Sequence, residues 1–162
     1  SLPDIEGGFT SFIKYKQFDL NVLFNFSFGA YLLDNDYSTL INPFENPGGS
    51  AHPDNFNAWQ NPGDISNLPL LLASNNDHAS RSDRFLFKND YIRLKSLTFG
   101  YNLPESTIER FGLSKFRLFL QADNVFTWQS HKGIDPEQAF NGVSNNRSPL
   151  SKTITSGILL EF

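Results

Sequence analysis

The sequence predicts an all-β chain: an antiparallel transmembrane β-barrel segment of about five strands. Three observations lead to this fold class. Several stretches alternate between apolar and polar residues with period two, which is typical of strands that separate two unlike environments. In the clearest of these stretches the polar residues are small and almost uncharged, as in a watery barrel lumen. The connections are alternately short and long, which is how outer-membrane barrels are built.

The composition excludes several classes of protein. The 162 residues carry a formal net charge of -4 and no basic cluster, which argues against a nucleic-acid partner. No apolar run reaches about 18 residues, so no transmembrane helix is predicted. The absence of cysteine excludes a disulfide framework and cysteine-ligated zinc. Because the chain has no methionine and no basic-then-apolar leader, we expect a processed or partial chain.

The first two strands are predicted over residues 8–16 and 18–29, with a tight turn at Lys16–Gln17 between them. The second strand has the cleanest alternation in the sequence. Its polar face carries a single charge, Asp19, whereas a strand of a soluble sandwich usually shows several charged residues to water. Its apolar face consists of Phe18, Leu20, Val22, Phe24, Phe26 and Phe28. The pattern therefore favours a barrel strand.

The third strand is predicted over residues 85–102, and its alternation changes phase near the middle. The apolar residues are even-numbered before this point and odd-numbered after it: Ile92 and Leu94, then Leu97, Phe99 and Tyr101. One extra residue near Lys95–Ser96 would form a β-bulge and restore the phase. The same bulge would turn Arg93 and Lys95 away from lipid.

A short helix is predicted between the third and fourth strands, where Pro104 lies in its first turn and Gly112 ends it. The fourth strand follows over residues 115–127, and the last strand over residues 150–162. The two faces of the fourth strand differ clearly, with Leu118 and Leu120 on one face and Arg117, Gln121 and Asp123 on the other. We expect the leucines to face lipid and the polar residues to face the lumen.

Two long loops are predicted, over residues 30–84 and 128–149. Both are rich in Asn, Asp, Ser, Pro and Gly, which mark turns and irregular structure. So long a first loop counts against a compact soluble domain, and disorder is the alternative interpretation of it. Residues 68–73 are apolar enough to pack back inside this loop. In a barrel, both long loops are expected on the extracellular side.

Aromatic residues are expected to form two belts at the membrane interfaces, because amphipathic rings favour the bilayer–water boundary. One belt lies at the end of the short turns and comprises Tyr15, Phe18, Tyr101, Phe116 and Phe162. The other belt lies at the end of the long loops and comprises Phe28, Phe126 and Trp128. The chain end at Phe162 is then expected on the periplasmic side.

Neither a metal site nor catalytic machinery is predicted. His52, His78 and His131 are scattered over the loops without metal-ligand spacing, so surface histidines are expected. Residues 34–38 loosely resemble the start of a calcium loop, but the later Gly and the closing Glu are missing, so an Asx-rich turn is favoured. No Ser can be placed beside a partnered His and Asp. We therefore expect no enzyme activity, no cofactor and no bound metal.

Two aromatic residues of the first long loop are candidate substrate contacts. Phe56 and Trp59 could stack on sugar rings while neighbouring Asn side chains hydrogen-bond hydroxyls, and packing within the loop is the alternative. In the second long loop, the run Asp135-Pro136-Glu137 is interpreted as a turn with exposed carboxylates and a structural role.

Three motifs follow one another in the second half of the chain: a Y-x-R-L-K strand that continues to G-Y-x-L-P, an R-x-x-x-x-x-x-N-x-F-T-W strand, and a G-x-D-P-E loop. Their residues are Tyr91, Arg93, Leu94, Lys95, Gly100, Tyr101, Leu103 and Pro104; Arg117, Asn124, Phe126, Thr127 and Trp128; and Gly133, Asp135, Pro136 and Glu137. Upstream are a W-x-x-P-G-D loop and a G-G-F strand start, formed by Trp59, Pro62, Gly63 and Asp64 and by Gly7, Gly8 and Phe9. Together they resemble the C-terminal end of the SusC-like (RagA-like) TonB-linked outer-membrane proteins.

The resemblance implies a plugged barrel of roughly 22 strands, import of an oligosaccharide or oligopeptide, energy from TonB, and a SusD-like surface lipoprotein over the barrel. Five strands leave two unpaired edges that cannot lie in lipid. The remaining strands and the plug are therefore expected on the same gene product or on another chain. The alternative is a soluble extracellular β-sandwich that binds glycans through its long loops.

Overall fold

The computed structural model describes residues 2–42, 44, 48–73, 82–139, 141–144 and 147–162. These residues form the strands β1 (Ile5–Tyr15), β2 (Phe18–Phe28), β3 (Tyr31–Leu33), β4 (Leu86–Lys88), β5 (Tyr91–Asn102), β6 (Lys115–Gln129) and β7 (Thr153–Glu161), and the helices α1 (Asn35–Ile41) and α2 (Glu105–Ile108). The five long strands make one antiparallel sheet in the order β1-β2-β5-β6-β7, and β3 pairs with β4 in a second sheet. The predicted all-β class, with five long strands, is confirmed.

The third predicted strand is divided in the structure: residues 86–88 are a strand of their own, so the prediction of one continuous strand over residues 85–102 is wrong. Strand β5 begins only at Tyr91, and the preceding strand β4 belongs to the small sheet. Between them, the backbone N–H of Asn89 donates to the Ala30 carbonyl at 2.8 Å, and its Nδ2 donates to the Pro136 carbonyl at 3.1 Å. Because these bonds are made outside the large sheet, the chain leaves the sheet at this point.

The register of the large sheet places most of its apolar residues on one face, with Phe12, Leu23, Phe119 and Leu159 as exceptions on the other. Phe18, for example, pairs with Tyr15 on one side and with Tyr101 on the other. The apolar face continues across all five strands through Phe9, Ile13, Leu20, Phe24, Leu97, Phe99, Leu118, Leu120, Ile154 and Ile158. Large side chains on this face remain open, and Phe9 and Ile158 are 60% and 63% exposed. The opposite face carries Asp19, Asn21, Asn25, Arg93, Thr98, Arg117, Gln121 and Asp123.

Strand β5 contains the β-bulge that the phase change predicts. Against β2, Leu94 and Ser96 pair with consecutive residues, so Lys95 is the extra residue. Arg93 pairs with Asn25 and therefore lies on the polar face. The predicted bulge is confirmed, and Arg93 and Lys95 both extend away from the apolar face toward Glu137.

Strand β6 has an irregularity of its own opposite this bulge. Its residues Phe126 and Asp123 pair with Leu94 and Ser96, so two residues of β6 lie opposite Lys95 alone. One of these two, Asn124, has a left-handed backbone with φ of 55°. Asn tolerates this conformation better than most residues with a side chain. The backbone thus explains an Asn at this place of the motif.

The two short connections have the structure that the sequence predicts. The turn between β1 and β2 is formed by Lys16–Gln17, with Lys16 at a φ of 54°. Helix α2 starts directly after Pro104 and continues as the 3-10 helix Glu109–Phe111. Gly112 ends it in a left-handed conformation with φ of 70°, which glycine adopts without a steric penalty.

The first long loop folds around a small apolar core of its own. The buried residues are Ile41, Ala58, Leu68 and Phe85, and Leu33, Tyr37 and Leu71 pack against them. The prediction of one long irregular loop is therefore wrong, because its described part contains β3, α1 and the 3-10 helix Pro53–Asn57. Of the apolar stretch 68–73, which was predicted to pack inside the loop, Leu68 and Leu71 do so, whereas Leu70 and Leu72 are 41% and 46% exposed. We call the described residues of 31–88 the cap.

The second long loop runs from the end of β6 to the start of β7 and contacts both the sheet and the cap. We call its described residues between 131 and 150 the strap. The strap contains the 3-10 helix Pro136–Ala139. Its residue Val143 forms a parallel bridge with Leu33 of β3. The strap thus lies between the five-stranded sheet and the small sheet of β3 and β4.

Candidate functional site

A buried cluster of charges lies where the strap meets the polar face of the sheet. Arg93 of β5 is only 3% exposed. Its Nη2 donates to Asp135 Oδ1 at 2.6 Å, its Nη1 to Glu137 Oε2 at 2.9 Å, and its Nε to Thr127 Oγ1 at 2.9 Å. Lys95 Nζ donates to the same Glu137 oxygen at 2.8 Å. Two cations of one strand thereby neutralise two carboxylates of the strap.

The carboxylates of Asp135-Pro136-Glu137 are buried, so the interpretation as an exposed turn is wrong. Asp135 is 9% exposed as a residue, and the Glu137 side chain is 14% exposed. Burial raises the pKa of Asp135, but hydrogen bonds from Arg93 and from the Leu150 and Glu137 amides outweigh it, and the pKa lies below its ordinary value of 3.8. Asp135 is therefore ionised at neutral pH, and its bond to Arg93 is charge-assisted.

The cluster unites residues of all three motifs. Arg93 and Lys95 come from the first motif, Thr127 from the second, and Asp135 and Glu137 from the third. The sequence contained one signal for this contact: two cations on a strand between apolar neighbours, and two acids in a later loop. It did not reveal that the loop folds back onto that strand.

The strap has a second attachment at the start of α1. Asp34 is the N-cap of this helix, and its Oδ1 accepts hydrogen bonds from the Tyr37 amide at 2.9 Å and from the Ser144 hydroxyl at 3.1 Å. Its Oδ2 lies 2.7 Å from Nε2 of His131. The His131 ring stacks on Phe87 with centroids 4.0 Å apart. The expected Asx turn is present as a helix cap, whereas His131 is not the surface histidine that was expected.

The electrostatics of Asp34 follow from these contacts. Burial raises the pKa of Asp34, but hydrogen bonds from His131 and from the Tyr37 amide lower it by more, and the net pKa is below its ordinary value of 3.8. An ionised Asp34 at a helix N-terminus is also favoured by the helix dipole. The carboxylate therefore ties the strap and the cap together.

Two clefts open on the cap around one partly buried hydrogen bond. The hydroxyl of Tyr37 donates to Asp54 Oδ2 at 2.7 Å. Burial and this hydrogen bond raise the pKa of Tyr37 to about 12, so the hydroxyl stays protonated. Tyr37, Asp54 and Phe87 line both clefts, whose volumes are about 650 and 420 Å³. Arg84 and Asn67 line the larger one, which gives it both charged and amide groups.

The two predicted substrate contacts lie on the cap in different environments. Phe56 belongs to the 3-10 helix Pro53–Asn57 and is 88% exposed. Trp59 is partly buried and lines a further cleft of about 550 Å³ beside Leu70 and Arg84. Its backbone N–H donates to the Leu68 carbonyl at 2.9 Å, so part of this residue packs within the loop. Substrate contact stays a prediction for both residues.

The aromatic residues of the predicted belts lie at the two expected ends of the sheet. At the short-turn end, Phe18 and Tyr101 have ring centroids 4.8 Å apart, and Tyr15 pairs with Phe18. Phe116 and Phe162 lie at the same end, where Phe116 pairs with Leu160 and Phe162 is 91% exposed. At the other end are Phe28, Trp128 and, two residue pairs further in, Phe126. Their contact with a membrane interface stays a prediction.

A second ionic contact lies at the short-turn end of the polar face. Arg117 of β6 reaches across β5 to Asp19 of β2, with Nη2 to Oδ2 at 2.5 Å, and Asn102 donates to Asp19 Oδ1 at 2.8 Å. The bridge passes over Gly100, where an added Cβ would lie 2.5 Å from both charged groups. The glycine of the first motif is thus required by the space that this bridge occupies.

The described part of the chain offers little for metal binding. No three or more His, Cys, Asp or Glu side chains of the described residues are grouped so that they could hold an ion. His78 lies outside the described residues. Helices α1 and α2, seven and four residues long, are too short and too polar to cross a bilayer.

Known proteins resemble this chain over nearly its whole length. It is 32% identical over 173 residues to TonB-dependent receptor P3 of Formosa agariphila, a match that covers 99% of this chain and 16% of the receptor. It is 29% identical over 161 residues to TonB-dependent receptor SusC of Bacteroides thetaiotaomicron, covering 98% of this chain and 15% of that protein. No family model matches the chain.

Solved structures give the same result. The RagAB peptide transporter superposes on this chain with a TM-score of 0.82 at 30% identity, over 99% of this chain and 17% of that one. The RagAB peptide importer in its closed-closed state superposes with a TM-score of 0.78 at 29% identity. The relatives named here are receptors and transporters, which agrees with the expectation of no enzyme activity.

The matches explain the open sheet. The chain spans about one sixth of the length of the relatives it matches, so its five strands correspond to a part of each relative. The relatives include the SusC and RagA proteins that the three sequence motifs had indicated. The chain belongs to the SusC-like, RagA-like family of TonB-dependent outer-membrane proteins, of whose β-barrel it forms a segment.

Proposed function

We propose that this chain forms part of the wall of an importer that carries oligosaccharides or oligopeptides across the outer membrane. In this proposal TonB supplies the energy and a SusD-like lipoprotein covers the barrel from outside. The observation that carries the proposal is the single-layer sheet, with one apolar face left open and one polar face bearing charges. Such a sheet fits between lipid and a watery lumen.

A soluble β-sandwich would use the same strands differently. Its apolar face would be covered by a second sheet about 10 Å away. In the described part of this chain the second sheet consists of two three-residue strands, β3 and β4, which are too short to cover it. Phe9, Leu120 and Ile158 stay between 50% and 63% exposed. The glycan-binding sandwich is therefore not favoured.

Strand direction supports a barrel completed by other strands. Each neighbouring pair in the order β1-β2-β5-β6-β7 is antiparallel, so the two edge strands β1 and β7 run in the same direction. They cannot pair with each other as antiparallel strands. A second copy of this chain, rotated about the barrel axis, keeps the same strand directions. Its strand β7 would therefore also lie parallel to β1 and could not complete an antiparallel barrel. An odd number of further strands closes an antiparallel barrel, and a roughly 22-stranded transporter would have an odd number left.

The orientation follows from the two ends of the sheet. Outer-membrane barrels place short turns in the periplasm and long loops outside. The turn Lys16–Gln17, helix α2 and the end of β7 would then be periplasmic, and the cap and strap extracellular. The aromatic residues at both ends of the apolar face would lie at the two membrane interfaces.

The cap provides surfaces for a polar cargo at the outer entrance. Phe56 is open to solvent, and Trp59 lines a cleft that shares Asn67 and Arg84 with the cleft around Tyr37. Aromatic faces beside amide and charged groups suit both sugars and peptides. That the similar RagAB is a peptide transporter keeps oligopeptides among the candidate cargoes.

The membrane placement is tested by purification of the full-length protein. We expect it to require detergent or a bilayer and to fold as one barrel there. A stable monomer that purifies from aqueous buffer without detergent would contradict the proposal and support the sandwich.

Transport is tested in cells that carry the full-length protein and its lipoprotein partner. Two probes are offered: a fluorescein-labelled peptide digest and a fluorescein-labelled oligosaccharide ladder. We expect uptake of one of them, loss of uptake when TonB is deleted, and weaker uptake with Trp59→Ala or Phe56→Ala. Phe111→Ala is a matched control, because Phe111 is also an exposed phenylalanine but belongs to the 3-10 helix after α2, outside the cap. Uptake that does not need TonB would overturn the proposal.

A further inference from the structure

Besides the side-chain amides of Asn89 and Gln129, which bond its backbone carbonyls, the strap is fastened by carboxylate contacts at two places, and these lie on different parts of the molecule. One attachment is the bond of Asp135 and Glu137 to Arg93 on the sheet. The other is the bond of Ser144 and His131 to Asp34 at the start of α1. The strap is therefore the segment through which the position of the cap can depend on the polar face.

We propose that Arg93 is a positioning residue: it holds the strap on the polar face and, through the strap, fixes the cap and its clefts over the entrance. The positioning of the strap and the cap by Arg93 depends only on the contacts of the described residues. The consequence for cargo rests on the proposed function, because it assumes that the cap receives the cargo.

Arg93 is suited to this role because its guanidinium contacts three partners at once. Nε bonds Thr127 within the sheet, while Nη1 and Nη2 bond two different carboxylates of the strap. A planar fork of donors can make these bonds together, whereas a lysine ammonium is a single point of charge. Lys95 adds one bond to Glu137 but none to Asp135. Loss of Arg93 would leave Asp135 without a cationic partner in a buried place.

The attachment to the cap continues this path. The strap amide of Ser144 donates to the Leu33 carbonyl at 3.0 Å, and the Leu33 amide donates to the Gly142 carbonyl at 2.8 Å, which adds a strand-like pairing to β3. The Ser144 hydroxyl accepts from the Asp36 amide at 3.2 Å and donates to Asp34. The first turn of α1 is thus held by the strap as well as by its own cap residue.

Helix α1 links the attachment of the strap at Asp34 to residues that line the clefts. Tyr37, whose amide bonds Asp34, lines both clefts of the cap, and Ile41 at the end of the helix lies in the apolar core. If the strap shifts, the first turn of α1 loses partners for Asp34 and for the Asp36 amide. We expect the change to reach the Tyr37–Asp54 hydrogen bond.

The contact of Arg117 with Asp19 provides a matched control. It is also an arginine–carboxylate pair on the polar face, but both partners belong to the large sheet. A variant at Arg117 therefore removes a similar bond without releasing a loop. A general loss of stability would affect both arginine variants, whereas the positioning role is confined to Arg93.

The test measures hydrogen exchange of backbone amides in the full-length protein in detergent, for Arg93→Gln, Arg93→Lys and Arg117→Gln. With Arg93→Gln we expect exchange to become about tenfold faster or more at Glu137 and Leu150, and also at Ser144 and Tyr37, because local opening follows the loss of a clamp. Arg93→Lys should show a smaller change. Arg117→Gln should leave these four amides unchanged. Faster exchange at Glu137 and Leu150 alone would overturn the coupling.

A second variant keeps the inference testable if Arg93→Gln does not fold. Coupling between two sites is reciprocal, so weakening the attachment to the cap should loosen the attachment to the sheet. We expect His131→Gln to speed exchange at Glu137, although His131 does not touch this residue. Unchanged exchange at Glu137 in a folded His131→Gln protein would overturn the proposal.

The consequence for cargo is tested by measuring uptake of whichever labelled probe the unmodified protein takes up. We expect Arg93→Gln to raise the half-saturating concentration of that probe while the maximal uptake rate changes little, and Arg117→Gln to leave both unchanged. An unchanged half-saturating concentration would refute the consequence for cargo. If neither probe is taken up at all, the proposed function fails, and the exchange measurements still decide the positioning role of Arg93.

Discussion

The two ends of the polar face each carry an arginine bound to a carboxylate, and the two contacts differ in what they join. At the short-turn end, Arg117 and Asp19 lie on strands of the same sheet, and the Arg117 side chain is 26% exposed. At the long-loop end, Arg93 lies on the sheet and Asp135 on the strap, and their side chains are 4% and 3% exposed. One pair reinforces strands that are already hydrogen-bonded, and the other fixes a loop.

The difference between the two contacts shows that a charge pair matters most for structure where no backbone ladder already holds its two partners together. Strands β2, β5 and β6 keep their register through their ladders whether or not Arg117 bonds Asp19. The strap has no ladder to the large sheet among the described residues, so its place on the polar face depends on side-chain contacts, those of Arg93, Lys95, Gln129 and the Asn89 side-chain amide. A buried pair also has a large effect when one partner is lost, because the other charge is left without compensation.

The largest expected effect is that of Arg93→Leu. It should lower the free energy of unfolding by about 3–5 kcal/mol, because Asp135 loses its cation in a buried site. Arg117→Leu should cost less, about 1–2 kcal/mol, because its site is partly open and Asn102 still bonds Asp19. Urea titration of the full-length protein in lipid vesicles measures both. Equal costs at the two ends would contradict the comparison.

The next effect tests whether both charge clusters face the lumen. Leu120→Arg should cost about 2–4 kcal/mol, because the arginine would face hydrocarbon near the middle of the bilayer, and Gln121→Arg should cost much less. Leu120 and Gln121 are neighbours on β6, so the pair differs only in face. The same titration applies, and similar costs for the two variants would show that the faces are assigned incorrectly.

A smaller effect is expected when the space under the short-turn pair is filled. Gly100→Ala places a Cβ 2.5 Å from Arg117 Nη2 and from Asp19 Oδ2. The pair must separate, which should cost about 1–3 kcal/mol. In an Arg117→Leu background the same change should cost less, because the displaced group is gone. If the two costs are equal in a double-mutant cycle, the glycine is needed for another reason.

The last effect is the acid dependence of the strap. The pKa of Asp135 is lowered in the folded protein, so its contribution is fully present above the ordinary value of 3.8 and is lost as the pH falls through the lower folded pKa. We expect protection of the Leu150 amide, relative to an unfolded peptide at the same pH, to stay constant from about pH 7 to 5 and to fall below about pH 4. Loss of protection already at pH 6 would contradict this assignment, and Arg93→Leu should remove the acid step.

Much of the sheet could be predicted from the sequence alone. Alternation placed five long strands, the phase change of Ile92 to Leu97 located the bulge at Lys95, and Gly112 marked the end of the 3-10 helix that continues α2. These features are local, because the side-chain direction along a strand changes with every residue and one extra residue reverses it. The same alternation separated the apolar face from the polar face.

The contacts of the loops were decided only by the tertiary structure. The Asp135-Pro136-Glu137 run was predicted as an exposed turn and is buried against Arg93, and residues 85–90 were predicted as strand and belong partly to the cap. In both cases the partner lies more than 40 residues away in sequence, as the 42-residue separation of Arg93 and Asp135 and the 47-residue separation of Asn89 and Pro136 illustrate. Periodicity carries no information about such partners, because a buried charge finds its counter-charge through the folding of the whole chain and not through its neighbours in sequence.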